Sequence, residues 1–260
     1  MSNILVEERG HLLLIGINRP EKKNSFVPQM MDDISLAYAR LEDSEHLRCG
    51  VLYAVGDMFT AGLDLAQFAP LISERGELVF PENGIDPFGI HTKRKRSKPM
   101  VAAVQGLCLT LGIEVLLASD VRIAASNARF GQIEVKRGIF PFGGATLRLP
   151  EIAGWGNAMR WLLTGELFDA AEAYRIGLVQ EIVEPGTQFE RAVAIAETIA
   201  KQAPLGVYAT LRSAWKAQSE GFDAAAADLM SETLALFASE DAQEGVRSFM
   251  ERREGDFKGK

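Results

Sequence analysis

An α/β core followed by a helical C-terminal section is the fold this sequence predicts, and three observations carry it. Short apolar runs alternate with stretches of helical periodicity as far as Ala125. From Asn157 onward helical periodicity dominates. Neither an internal repeat nor a low-complexity linker interrupts the chain. Strands that alternate with helices and then give way to helices point to a layered core with a helical extension.

The elements follow in order. His11 to Asn18 carries Leu-Leu-Leu-Ile-Gly-Ile and reads as a strand, stopped by Arg19-Pro20 and a polar turn through Asn24. Pro28 suits the first turn of a helix, and Met31, Ile34, Tyr38 and Leu41 recur at helical spacing to about Glu42. A second strand spans Cys49 to Val55 and breaks at Gly56-Asp57. The segment from Phe59 to Lys98, with Pro70, Pro81 and Pro87, reads as irregular. Pro99 to Val104 is a third strand, Gly106 to Gly112 a glycine-bounded turn, Ile113 to Ser119 a buried helix, and Asp120 to Ala125 another strand. A loop rich in Gly and Phe covers 130–144. Helices are then expected over Asn157–Leu163, Ala170–Ile176, Phe189–Gln202, Leu205–Gln218 and Phe222–Ser239, with a last one from about Asp241 to Arg252.

Bulk properties narrow the function. The 260 residues suit one large domain, or a domain with a small appendage, and 47% apolar content can fill its core. A net charge of −7 argues against nucleic acid as a partner, because phosphate backbones need a positive field. An anionic ligand would have to be held by local Lys or Arg. Cys49 and Cys108 each lie in an apolar stretch with no CxxC, so both are expected to be buried, reduced thiols. Acids at Glu7 and Glu8 stand where a signal peptide needs basic and then apolar residues, and no apolar run approaches the ~20 residues of a membrane span. The expectation is a soluble cytoplasmic protein.

Several chemistries have no foothold. His11, His46 and His91 are scattered outside any metal-ligand pattern. There is no G-x-S-x-G elbow for a serine nucleophile and no Walker lysine loop. Gly154-Trp155-Gly156 opens like a dinucleotide fingerprint but lacks the third glycine and a preceding strand.

Three segments carry positive signals. Phe59-Thr60-Ala61-Gly62-Leu63-Asp64 is a tight glycine turn after a strand, in which Gly62 can leave the Leu63 amide free to meet an anion. Taken alone, it reads first as an ordinary strand-to-helix turn. In the second segment Glu114 sits within the apolar run from Leu107 to Ala118. Burying a lone carboxylate costs several kcal/mol, so it needs a partner or a purpose. Capping of its own helix is the plainer alternative. Leu111 and Gly112 open that helix, where unpaired amides favour negative charge. In the third, Glu134 follows Phe130-Gly131-Gln132-Ile133 and precedes a glycine-rich turn at Gly138 to Gly144. By itself it reads as a solvated loop acid. The basic run Lys93-Arg94-Lys95-Arg96 reads as a solvated helix end.

Together these segments resemble the enoyl-CoA hydratase/isomerase (crotonase) family over almost the whole chain. The likeness starts at Asn18-Arg19-Pro20-Glu21-Lys22-Lys23-Asn24 and runs through Phe59 to Phe68, Lys98 to Val104, both glutamate segments and Thr164-Gly165-Glu166. It ends at Ser239 to Gly245 and Phe249-Met250-Glu251-Arg252-Arg253. The resemblance implies a crotonase-type spiral of repeated ββα units over 1–200, with a helical trimerisation section over 201–260. The assembly it implies is a homotrimer or a dimer of trimers. It implies an acyl-CoA thioester substrate, with CoA as part of that substrate and no metal or other cofactor.

By position, the resemblance makes the Leu63 and Leu111 amides an oxyanion hole for the thioester enolate. Glu114 and Glu134 match the pair that orders a water and passes protons in syn addition or elimination across a 2-enoyl-CoA. Ala61, Gly62, Asp64 and Leu65 fall on the backbone that holds the adenine end of CoA. Phe249 and Arg252 fall where a neighbouring subunit completes the CoA site. The chain departs from the family pattern in two places. Thr110-Leu111 replaces the glycines common before the helix, so that a Leu side chain either narrows the acyl pocket or tilts the donor, and Ala66 stands where many relatives place a CoA-contacting Lys. Other readings stay open: double-bond isomerisation, which needs only Glu134; hydrolase, decarboxylase or dehydratase chemistry on the same oxyanion hole; and a catalytically weakened acyl-CoA-binding subunit.

Overall fold

The computed structural model describes residues 2–260. Its centre is a six-stranded sheet. The first strands are β1 (Ile4–Arg9) and β2 (Leu12–Ile17), which pair antiparallel. After α1 (Pro28–Asp43), β3 (Cys49–Ala54) joins β2 in parallel. Next come α2 (Leu65–Arg75), β4 (Met100–Val104), β5 (Leu107–Leu109), α3 (Leu111–Leu117) and β6 (Val121–Ala125). Then follow β7 (Arg129–Gly131), α4 (Ala145–Ala153), α5 (Trp155–Thr164), β8 (Phe168–Asp169), α6 (Ala170–Arg175) and β9 (Glu181–Val183). The remaining elements are α7 (Gln188–Ala200), α8 (Pro204–Glu220), α9 (Phe222–Phe237) and α10 (Glu240–Glu251). The main sheet runs in the order β1-β2-β3-β4-β6-β9, and β5-β7-β8 form a small second sheet.

The unbroken apolar run of β2 follows from its burial on both faces. Successive side chains of a strand point to opposite sides. Leu13, Ile15 and Ile17 therefore pack with Met30, Ile34 and Leu41 of α1, while Leu12 and Leu14 pack with Val51, Val101 and the Ala192, Val193 and Ala196 face of α7. Cys49 and Cys108 are free and buried, and burial raises both thiols well above the ordinary cysteine range. Beyond α7, α8 and α9 run antiparallel, tied by Arg212–Glu232 and by Lys216–Asp228 at 2.5 Å.

Several expectations are corrected. The segment 59–98 is not wholly irregular. It contains α2, hidden from the sequence by Pro70 inside it and by the burial of Phe68 alone among its residues. The strand β1 was unexpected because only Ile4 of its residues is buried, leaving no alternation to see. The 106–112 turn contains β5, and the 130–144 loop begins with β7, both three residues long. In α4 a helix carries Pro150 and begins after two glycines. The basic run is no helix end. The Arg96 side chain is 9% exposed and paired with Asp120 at 2.8 Å, Arg94 pairs with Asp43, and of the four only Lys93 and Lys95 are exposed. Among the described residues no helix is long and apolar enough to cross a membrane.

Candidate active site

Asn24 anchors the first wall of the site. It is fully buried, and its amide nitrogen donates to the carbonyls of Val55 and Met58 at 2.9 Å each. It thereby holds the exit of β3 in place. The Thr60 hydroxyl donates to the Asn24 carbonyl at 2.7 Å and accepts from Gly62 N–H at 3.0 Å. Phe26 N–H then donates to Gly62 O at 2.9 Å, and Asp64 N–H donates to Phe26 O at 2.8 Å. Those bonds turn the intervening Leu63 amide to the opposite side, where it donates to no other described residue. Gly62 has φ +102°, and a Cβ there would collide with the Thr110 hydroxyl. Both the conformation and the space require glycine.

The second wall comes from the start of α3. Thr110 adopts φ +50°, ψ −116°, a strained conformation for a residue with a side chain, and its hydroxyl is buried without a partner. Its carbonyl accepts from Ile113 and Glu114 N–H, closing the first turn. The Leu111 amide, at the helix start, donates to no other described residue. Gly112 is required here too, because a Cβ would lie 2.5 Å from a Thr60 methyl and 2.9 Å from the Cys108 sulfur. The short contact brings α3 onto the Phe59–Leu63 segment and sets the two free amides in one cavity.

Both glutamates are buried in that cavity. Glu114 Oε1 accepts from Gly143 N–H at 2.7 Å and from Ala145 N–H at 3.2 Å. It therefore caps the start of α4, not its own helix. Burial pushes its carboxyl up to about 7, against the pull of the Ala145 and Gly143 amides and of Arg148. A Cβ on Gly143 would stand 2.7 Å from Glu114 Oε2, so glycine at that turn is a condition of this contact. Glu134 opens a 3₁₀ turn, Glu134–Arg137, and is buried instead of solvated. Its carboxyl also rises to about 7, first through burial and further through the charge of Glu114. Two coupled carboxyls near neutrality can hold one proton between them, as an acid beside a base.

One contributor escaped the sequence reading. Gln132 is buried at 1% exposure, and its side-chain amide faces three acceptors. With the nitrogen turned toward them, it donates to Glu134 Oε1 at 3.1 Å, Glu134 Oε2 at 3.2 Å and Thr110 O at 3.1 Å. It thus ties the second glutamate to the residue that precedes the Leu111 amide. The only signal in the sequence was an amide two residues before a glutamate.

The cavity measures about 190 Å³, and Ala61, Leu63, Leu65, Leu111, Glu114 and Glu134 all line it. Gly62 lies behind them against Thr110, and the Asp64 carboxylate turns instead to Arg19 at 3.7 Å. Phe249 and Arg252 are not brought to the cavity of their own chain. Both are exposed, at and just beyond the end of α10.

Residues 7–260 match the enoyl-CoA hydratase/isomerase family. An enoyl-CoA hydratase of Mycobacterium tuberculosis is 34% identical over 259 residues, covering 98% of this chain and 96% of that protein. An (E)-benzylidenesuccinyl-CoA hydratase of Thauera aromatica is 35% identical over 259 residues, covering 98% and 99%. The crystal structure of a probable enoyl-CoA hydratase/isomerase from Mycobacterium abscessus superposes with a TM-score of 0.96 at 51% identity, covering 99% of each chain. A fold built around two free amides and two buried carboxyls, matched over nearly its full length, places this chain in the enoyl-CoA hydratase/isomerase family.

Proposed function

We propose that the protein adds water reversibly across the double bond of a 2-enoyl-CoA. The observation that carries this reading is the pair Glu114 and Glu134, both buried in one cavity and both raised to about 7, beside the free amides of Leu63 and Leu111. The thioester oxygen accepts from the two amides. That draws electrons from the double bond and makes C3 electrophilic. The ionised carboxyl takes a proton from water as its oxygen bonds to C3. Electrons move to the enolate oxygen, and the protonated carboxyl then delivers a proton to C2. The two protons and one oxygen added are those of one water, so the cycle is closed by proton exchange between the glutamates. No cofactor is needed for the reaction. The substrate's CoA runs along the Ala61–Leu65 backbone.

The apolar side chains exposed on the C-terminal helices, including Phe222 at 79% and Phe237 at 70%, support assembly into a homotrimer or a dimer of trimers. In that assembly Phe249 and Arg252 complete a neighbour's CoA site. The reading is tested by incubating purified protein with a panel of acyl-CoA thioesters and weighing the products. Gain of one water on a 2-enoyl-CoA supports it. An isomer of unchanged mass, or release of free CoA, replaces it with isomerase or hydrolase activity.

A further inference from the structure

Arg137 is the one cation among the described residues that line the cavity. It forms no ion pair with another described residue. Its neighbour Lys136 is turned aside to pack against Gly165. A guanidinium is therefore left at the cavity wall with no protein acceptor to satisfy it.

Its position says where it would act. Glu134 and Arg137 are the first and last residues of one 3₁₀ turn. Residues three apart in such a turn eclipse one another, at a rise of ~2 Å per residue. Arg137 therefore stands on the same wall as Glu134, about 6 Å further along at the backbone, and its long side chain extends the reach. In the reaction proposed above, Glu134 works at C2 and C3 of the acyl chain, and CoA leaves the thioester along Ala61–Leu65. In that same reading the acyl chain beyond C3 extends away from CoA into the rest of the cavity. Ile139, Phe142 and Phe88 give that path apolar walls for methylene groups, with the arginine among them.

We propose that Arg137 is a specificity residue that selects acyl groups ending in a carboxylate, several bonds beyond the reacting double bond. A planar guanidinium matches a carboxylate in a two-point contact. Arg137 is itself exposed, so solvent reduces the strength of that contact. An effect of about tenfold, at the lower end for hydrogen bonds to charged groups, is therefore expected.

This inference rests on the acyl-CoA reading, and the experiment separates the two. Calorimetry is run with saturated acyl-CoAs, which bind without turnover: hexanedioyl-CoA, hexanoyl-CoA and CoA alone, with the longer and shorter diacid homologues. Each is titrated into the wild type, Arg137→Gln and Arg137→Lys. The expected result is that the preference for the diacid over the monoacid falls about tenfold in Arg137→Gln, is partly kept in Arg137→Lys, and shrinks as salt is raised. Equal preference in wild type and Arg137→Gln across the homologues overturns the proposal. So does a loss shared equally by CoA alone, which would make Arg137 a phosphate contact. A wild type that binds no thioester at all removes the acyl-CoA reading itself.

Discussion

Glu114 and Glu134 are expected to respond to pH as a pair. Each sits near 7, so the arrangement with one proton between them is most populated around neutrality, and kcat/KM should fall on both sides in a bell. Glu114→Gln is expected to lower kcat by roughly 10²–10⁴ with little change in CoA affinity, because the amide keeps the shape and loses the proton transfer. The same substitution has a second consequence for stability. A carboxyl raised in the fold above its unfolded value stabilises most fully below about 4.5, and that contribution is lost as pH climbs through about 7. The Tm of Glu114→Gln relative to wild type is therefore expected to be higher at pH 8 than at pH 5. Its carbonyl oxygen can still accept from Gly143 and Ala145. A Tm difference independent of pH would show that Glu114 is not raised. Gln132→Leu removes the donor to both oxygens of Glu134, so the ionised form loses support and one limb of the bell moves to higher pH. An unmoved profile with a uniformly lower rate would make Gln132 a packing residue only.

Individual elements show what could be read from the sequence and what could not. Long periodic stretches such as α1 were legible to within a residue, because the apolar stripe Met31, Ile34, Tyr38 and Leu41 is also the buried face. The short strands β5, β7 and β8 were not, since two or three residues cannot display a period. Glu114 stood out because an acid in an apolar run is costly. Glu134 and Gln132 did not, because their burial comes from tertiary packing, which no local pattern reports. At the opening of α3 the strained Thr110 separates backbone from side chain. Leu111→Gly is expected to keep the amide and widen the pocket, shifting preference among acyl lengths by roughly 10–200-fold per methylene-sized change. Comparing kcat/KM over short, branched and long enoyl-CoAs checks this. A uniform drop on every substrate would mean that the Leu side chain orients the amide and does not shape the pocket.

On the scale of the whole molecule, loops and short helices beside the core sheet line the cavity, and the C-terminal helices leave apolar side chains exposed. Phe249, at 84% exposure, and Arg252 are exposed and do not line their own cavity, which fits a role at a neighbour's site. Arg252→Ala is expected to weaken CoA binding, most visibly at low salt, and to leave the oligomer intact by light scattering. Unchanged affinity would remove Arg252 from the site. Truncation after Ser239 removes α10 together with the tail that Arg48 holds through the Phe257 carbonyl, and should disturb assembly as well. One comparison decides whether the two glutamates act as a single acid/base unit on an enoyl thioester. Wild type, Glu114→Gln and Glu134→Gln are given the same 2-enoyl-CoA, and formation of the hydrated thioester is timed by mass. The paired-glutamate mechanism predicts rapid hydration by the wild type and a loss of roughly 10²–10⁴ in each variant. Full hydration by Glu114→Gln, with activity abolished in Glu134→Gln, would contradict it.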